Sequence, residues 1–167
     1  MTSGRLDEWA VVRTDVMQPG DRAPDFELPD ETGHPRRLSE MLHAGPVVLF
    51  FYPRAMTTGC TAEACHFRDL RTEFDKVGAQ RIGISVDPVS KQKQFSDKHN
   101  FDYPLLSDSD GSVARAYGVS QGLLSFIKPV KRTTFVIGTD GLILDVITSE
   151  TRMQIHADRA LRTLGSA

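Results

Sequence analysis

The sequence predicts an α/β domain built on a central mixed β-sheet with helices on both faces. Residues 47–52 are continuously apolar, as expected of a strand buried on both sides, and residues 82–86 read as a second buried strand. Each is followed by a stretch with helical character, 58–77 and 87–99, so strands and helices alternate in the order that makes parallel βαβ units. Later, two apolar stretches at 133–137 and 142–147 flank Gly138-Thr139-Asp140-Gly141, a strong antiparallel hairpin signal. Parallel strands joined by an antiparallel hairpin give a mixed sheet.

The remaining elements follow in chain order. Residues 1–18 are polar with scattered Leu6, Trp9, Val11, Val12 and Val16, and are expected to be an N-terminal extension to a single domain spanning 19–167. Gly20-Asp21-Arg22-Ala23-Pro24 is a turn, and Asp25-Phe26-Glu27-Leu28 alternates polar and apolar as a short strand does. Asp30-Glu31-Thr32-Gly33-His34 is a tight turn, which makes an N-terminal hairpin. Residues 38–42 fit one helical turn with Ser39 as its cap. In 58–77, Ala62, Cys65, Leu70 and Phe74 recur near helical spacing, predicting one long helix. Residues 103–106 read as a short strand, Asp108-Ser109-Asp110-Gly111 as a turn and 112–117 as a short helix. Residues 118–131 are a loop carrying Val119, Leu123, Leu124, Phe126 and Ile127, expected to fold onto the domain or to flank a pocket, and 155–164 form a closing helix. This order describes a thioredoxin-like fold: a central mixed sheet flanked by helices, with insertions and the N-terminal hairpin extension.

Composition excludes several classes. A formal charge of −2 with acids and bases interspersed gives no basic face for nucleic acid or a membrane surface. No apolar run approaches the roughly 20 residues of a membrane-spanning helix, and residues 1–18 lack the apolar core of a secretory signal. The expected location is therefore cytoplasmic. In a reducing compartment, two cysteines close in sequence point to catalysis or metal binding more than to a structural disulfide.

Both cysteines lie in one segment, Pro53-Arg54-Ala55-Met56-Thr57-Thr58-Gly59-Cys60-Thr61-Ala62-Glu63-Ala64-Cys65. A buried strand feeding a loop and then a helix with Cys60 in its first turn favours a thiolate there, because helix-start N–H groups are unpaired and the macrodipole attracts an anion. Thr57 is within reach to hydrogen-bond the sulfur. Arg132 opens a strand expected beside the one that ends at Pro53, and its guanidinium would enter the same pocket and favour the charged sulfur further. Glu63 fits two roles, orienting Arg132 or complementing the helix N-terminus.

The pattern P-x-x-x-T-x-x-C, running from Pro53 through Thr57 to Cys60, resembles the active-site signature of the peroxiredoxins, and C-x-x-x-x-C resembles their PrxQ, or bacterioferritin comigratory protein, subfamily. The similarity runs from about Pro19 to the C-terminus, through Gly20-Asp21-Arg22-Ala23-Pro24-Asp25-Phe26-Glu27-Leu28, Phe51-Tyr52-Pro53, Glu63-Ala64-Cys65-His66-Phe67-Arg68-Asp69 and Arg132-Thr133-Thr134-Phe135-Val136-Ile137. The resemblance implies a thiol-dependent peroxidase acting on hydrogen peroxide and organic hydroperoxides. It makes Cys60 the peroxidatic residue, oxidised to a sulfenic acid. Thr57 and Arg132 would hydrogen-bond the peroxide oxygens, and Pro53 would shape the pocket and keep water off the sulfur. Cys65 would resolve the sulfenic acid as an intramolecular disulfide, which a thioredoxin-like reductant would reduce. No metal, haem, flavin or other cofactor is implied, and monomer is favoured over dimer.

Helix geometry then adds a requirement. Residues five apart in an intact helix have Cα atoms roughly 8–9 Å apart, while a disulfide needs less than about 7 Å. The first turns are expected to unwind once the sulfenic acid forms, with Ala62 and Ala64 adding little burial to resist. Thr58 stands where the subfamily commonly has Pro and offers an alternative cap, and Ala55-Met56 replaces a more usual polar pair, which makes the pocket rim more apolar.

Blander readings compete with each assignment. Either cysteine could simply pack in the core, and without Cys65 the chain would be a one-cysteine peroxidase using an external thiol. His66 beside Cys65 suggests a metal, but zinc needs about four ligands and too few lie nearby. His34, His43, His99 and His156 are expected in solvent, as are Lys91, Lys93 and Lys98. Among rival functions, a disulfide oxidoreductase normally uses C-x-x-C, which the longer spacer here argues against. A redox-sensing or holdase interaction protein would need apolar surface exposed in one redox state.

Overall fold

The computed structural model describes residues 15–121 and 128–165. Its elements keep the predicted order. A hairpin of β1 (Glu27–Pro29) and β2 (Pro35–Arg37) turns on buried Asp30, whose carboxylate accepts from Thr32 N, His34 N and Arg36 Nε at 2.8–3.0 Å. α1 (Leu38–Met41) follows, but Ser39 does not cap it. Asp25 Oδ1 instead accepts from Ser39 N at 2.9 Å, so the cap comes from a residue distant in sequence.

β3 (Val47–Phe51) is buried at every position and lies at the centre of a five-stranded sheet. α2 (Thr58–Asp69) and α3 (Arg71–Lys76) lead to β4 (Gln80–Ser85), which pairs parallel to β3. The single helix expected over 58–77 is therefore two. The break at Leu70 (φ −93°, ψ 21°) comes where side chains take up helix carbonyls or reach across: Arg81 Nη1 donates to Phe67 O at 2.8 Å and Arg68 Nη1 to His99 O at 2.8 Å. Sequence periodicity carries no sign of either bond.

α4 (Val89–His99) returns the chain to β5 (Leu105–Ser107), parallel to β4 and two residues later than expected. α5 (Ser112–Ala116) begins over the buried Asp108, whose carboxylate accepts from Val113 N and Ala114 N. β6 (Thr133–Ile137) is antiparallel to β3, and β7 (Ile143–Thr148) to β6, with the Gly138–Gly141 turn closed by Gly141 N to Gly138 O. α6 (Gln154–Gly165) closes the described chain. The apolar loop residues Leu123, Leu124, Phe126 and Ile127 lie outside the described residues, while Val119 is buried. No helix among the described residues is long and apolar enough to cross a membrane.

Strand alternation splits the core into two layers. Val47, Leu49 and Phe51 of β3 face a cluster with Leu38, Met41, Leu42, Val113 and Tyr117. Val48, Phe50 and Tyr52 face the other way, onto Cys60, Ala64 and Phe67 of α2 and Ala157 and Ala160 of α6. Met17, read from sequence as part of the extension, is 2% exposed in the first cluster and donates its N–H to Tyr117 O at 3.2 Å. Cys60 thus sits in the second core layer, beneath α6.

Phe67 anchors α2 to that layer: it is fully buried and stacks on Phe50 with ring centroids 4.2 Å apart. Phe67→Ala should lower unfolding stability by about 3–5 kcal/mol, read from the urea midpoint at unchanged m-value.

Candidate active site

The loop between β3 and α2 is held before it reaches the helix. Pro53 is buried at its start. Ala55 N donates to Asp87 Oδ2 at 2.7 Å, and Asp87 also accepts from Ser85 Oγ at 2.7 Å. Ser85 Oγ accepts from Gln92 Nε2 at 3.0 Å, and Gln92 Oε1 accepts from the Tyr52 hydroxyl, so a buried polar chain ties the loop to β4 and α4. Ala55 is therefore a core residue and not part of an apolar rim. Of that pair only Met56 is at the surface, 37% exposed, in a left-handed conformation (φ 70°) that a residue with a side chain seldom adopts.

Thr57 is the residue before the first helical turn, with extended backbone (φ −83°, ψ 158°), but its side chain caps nothing. Its hydroxyl donates to Arg54 O at 2.9 Å, so its proton goes to the loop and not to the sulfur as the sequence suggested. Thr58 is the first helical residue and supplies no alternative cap. Cys60 follows in the first turn and is 1% exposed.

Arg132 reaches this turn from the sheet. Phe51 pairs with Thr133, which places Arg132 beside the end of β3, as its sequence context predicts. Its guanidinium, 5% exposed as a residue, donates from Nη2 to Cys60 Sγ at 3.3 Å. A Cβ at Gly59 would lie 3.2 Å from Arg132 Nη2 and 3.1 Å from Met153 Cε, so the missing side chain lets the guanidinium cross the helix start. A donor of fixed positive charge against the sulfur suits a thiolate.

Two carboxylates position that guanidinium. Glu63, one turn after Cys60 and fully buried, places Oε2 3.5 Å from Arg132 Nη1. Glu150 accepts from Arg132 N at 3.0 Å and pairs with Lys128 Nζ at 2.6 Å, with Arg132 Nε 3.9 Å from its Oε2. Burial works against the Arg132 charge, but Glu63 and Cys60 overcome it and hold the group protonated. Burial pushes the Glu63 carboxyl up to about 8, outweighing the lowering pull of the neighbouring Arg132.

His156 of α6 completes the floor and corrects a sequence reading: it is fully buried, not solvated. Its Nε2 lies 2.9 Å from Ser149 O, a pure acceptor, so Nε2 carries the proton and Nδ1 accepts from the Thr134 hydroxyl at 2.8 Å. Burial and Arg132 lower its pKa, so the ring is neutral and adds no charge 3.5 Å from Glu63. His99 is likewise not free in solvent, since it packs between Phe95 and Phe101. Cys65 is half-buried beside the same core layer, and burial raises its thiol.

Residues 19–146 match the AhpC/TSA family. The chain belongs to that family. A Mycobacterium tuberculosis protein named as a peroxiredoxin is 64% identical over 89% of this chain and 96% of its own length. The crystal structure of peroxidoxin BcpB from the same species is 63% identical over 90% of this chain and 97% of that one, with a TM-score of 0.86. The bacterioferritin comigratory protein of Xanthomonas campestris, in a structural study of its alkyl peroxide reduction activity, is 29% identical over 90% of this chain and 96% of its own, with a TM-score of 0.78. This chain is thus a peroxiredoxin of the bacterioferritin comigratory protein type, a thiol-dependent peroxidase with a thioredoxin-like fold. Sequence reasoning located Cys60, Cys65, Thr57, Arg132 and Pro53 in one segment and one strand. It missed Glu150, Gly59, Met153 and the buried His156, for which no local pattern exists; only the glycine beside the cysteine was a visible hint.

Glu63 gives a signed pH effect. Between the usual carboxylate range and about 8, the folded helix keeps a proton that the unfolded chain releases, so this group's contribution to stability falls as pH rises through that window. The lowered His156 acts in the opposite sense, losing stability as pH falls, so the comparison must be between variants. The stability difference between wild type and Glu63→Gln, from urea melts at pH 5 to 9, should shift against wild type with rising pH up to about 8 and then level off.

Proposed function

We propose that Cys60 is the peroxidatic residue and that Cys65 resolves it within the same chain. The single observation carrying the first part is the Arg132 guanidinium donating to the buried Cys60 sulfur at 3.3 Å. The Cys60 thiolate attacks the terminal oxygen of hydrogen peroxide or an organic hydroperoxide. The S–O bond forms as the O–O bond breaks, and the alkoxide or hydroxide leaves with a proton as alcohol or water. Arg132 is aimed where that negative charge develops. Thr57, whose proton is committed to Arg54 O, offers its oxygen lone pairs to the hydroperoxide O–H. Buried Pro53 walls the pocket.

The Cys65 thiol gives up its proton and its sulfur attacks the sulfenic sulfur; the S–S bond forms as the Cys60 S–O bond breaks, and the hydroxide leaves with that proton as water. The intact α2 forbids this, because residues five apart sit roughly 8–9 Å from each other on a helix. The first turns of α2 unwind to bring the sulfurs together. A dithiol of thioredoxin type then reduces the disulfide and restores both thiols, a cycle suited to a reducing cytoplasm. Alkyl peroxide reduction by the Xanthomonas relative supports organic hydroperoxides as substrates.

Intact mass after one equivalent of hydrogen peroxide tests the scheme. Reduced wild type should lose two hydrogens without crosslinked dimer, Cys65→Ser should gain one oxygen, and Cys60→Ser should not react. Retention of one oxygen by the wild type would mean a one-cysteine cycle with an external thiol. Arg132→Lys keeps a positive charge but loses the fork that reaches Cys60 and Glu63 together. Its Cys60 oxidation rate, followed by stopped flow, should fall about 100- to 1,000-fold.

A further inference from the structure

We propose that Tyr103 is a positioning residue for the resolving step: its hydroxyl fixes the peptide group that carries Cys65, so that α2 unwinds up to that point and no further. The inference rests on the Cys60–Cys65 cycle proposed above. Tyr103 lies just before β5 and is 5% exposed. Its hydroxyl donates to Ala64 O at 2.6 Å. That carbonyl belongs to the same planar peptide as the Cys65 N–H, so a bond to it holds Cys65 by its backbone while leaving its side chain free.

The ring is itself held. It stacks on Phe101 (centroids 5.3 Å), meets Phe50 edge-on at 5.8 Å and lies under the Arg81 guanidinium at 5.1 Å. Burial keeps the phenol well above its ordinary pKa, so it remains a donor.

The ties on α2 are uneven. Beyond Ala64 the helix is fastened to the rest of the domain through Phe67 O to Arg81, Arg68 to His99 O and the buried Phe67 ring. Before Ala64 the helix start lacks a side-chain cap and Ala62 is exposed, and its ties from outside the helix run to the side chains of Cys60 and Glu63, through Arg132 at 3.3 and 3.5 Å, and not to a backbone carbonyl. Unwinding therefore runs from the helix start and meets its first fixed peptide at Ala64–Cys65. With the Tyr103 bond kept through the transition, Cys60 moves and Cys65 stays, so only one sulfur has to be brought into place. Without the bond, the fray passes Cys65 and both sulfurs must be ordered at once.

Tyr103→Phe keeps the ring and removes only the hydroxyl. In rapid-quench experiments with reduced protein and hydrogen peroxide, its rate of sulfenic acid formation at Cys60 should match wild type. Its disulfide formation should be slower by roughly three- to ten-fold, the effect of one ordinary hydrogen bond. In excess peroxide, the fraction gaining two oxygens at Cys60 as sulfinic acid should rise by a similar factor. Tyr117→Phe, which loses a partly buried hydroxyl bond to Pro24 O in the other core layer, is the control and should partition as wild type does. An unchanged or faster resolving step in Tyr103→Phe, with a normal wild-type disulfide, overturns the role of Tyr103 alone. A wild type that forms no Cys60–Cys65 disulfide overturns the underlying cycle and this role with it. An equal shift in Tyr117→Phe overturns the inference as a general stability effect.

Discussion

The arrangement of this domain turns on one buried guanidinium. Arg132 stands at the entry to β6, yet it touches the first turn of α2 at Cys60, the next turn at Glu63 and the segment after β7 at Glu150. A lysine would supply one point of charge, whereas the planar guanidinium aims Nη2 at Cys60 while Nη1 lies 3.5 Å from Glu63. The antiparallel β3–β6 pairing delivers Arg132 beside the end of β3, and the absence of a side chain at Gly59 clears its path. The polar chain from Tyr52 through Gln92, Ser85 and Asp87 to Ala55 N holds the connecting loop, so the cysteine end of the contact is placed as firmly as the arginine end. The geometry at the sulfur is therefore a property of sheet register, loop anchoring and one glycine together.

Much of this was legible in the sequence, and the division follows physical range. β3 showed as a continuous apolar run because both its faces are buried, and the β6–β7 hairpin showed through its turn residues. Cys60 and Arg132 could be joined in advance because Arg132 precedes a strand that lies beside β3, the strand whose end leads into the loop and helix carrying Cys60. The failures were long-range. The break of α2 at Leu70 accompanies an arginine of β4 taking the Phe67 carbonyl, and the cap of α1 comes from Asp25. Glu150 and His156 gained their places only when β7 and α6 folded back over α2. Thr57 is expected from sequence to hydrogen-bond the sulfur, but the destination of its hydroxyl proton depends on the course of the loop, which no spacing rule describes.

The same long-range ties bear on the opening of α2 proposed for the resolving step. Ala64 and Phe67 are fully buried, so their side chains resist release of the helix, contrary to what a run of small residues suggests. Glu63 works in the opposite sense. An acid enclosed with no hydrogen bond among the described residues, 3.5 Å from a guanidinium shared with other groups, destabilises the closed state and is relieved when it meets water. Its raised pKa is the measure of that penalty. The residue that helps to aim Arg132 at the sulfur thus also narrows the gap between the closed and the unwound helix. A fully satisfied glutamate would orient the arginine equally well, but it would bind the helix start more tightly and slow the opening proposed for the resolving step.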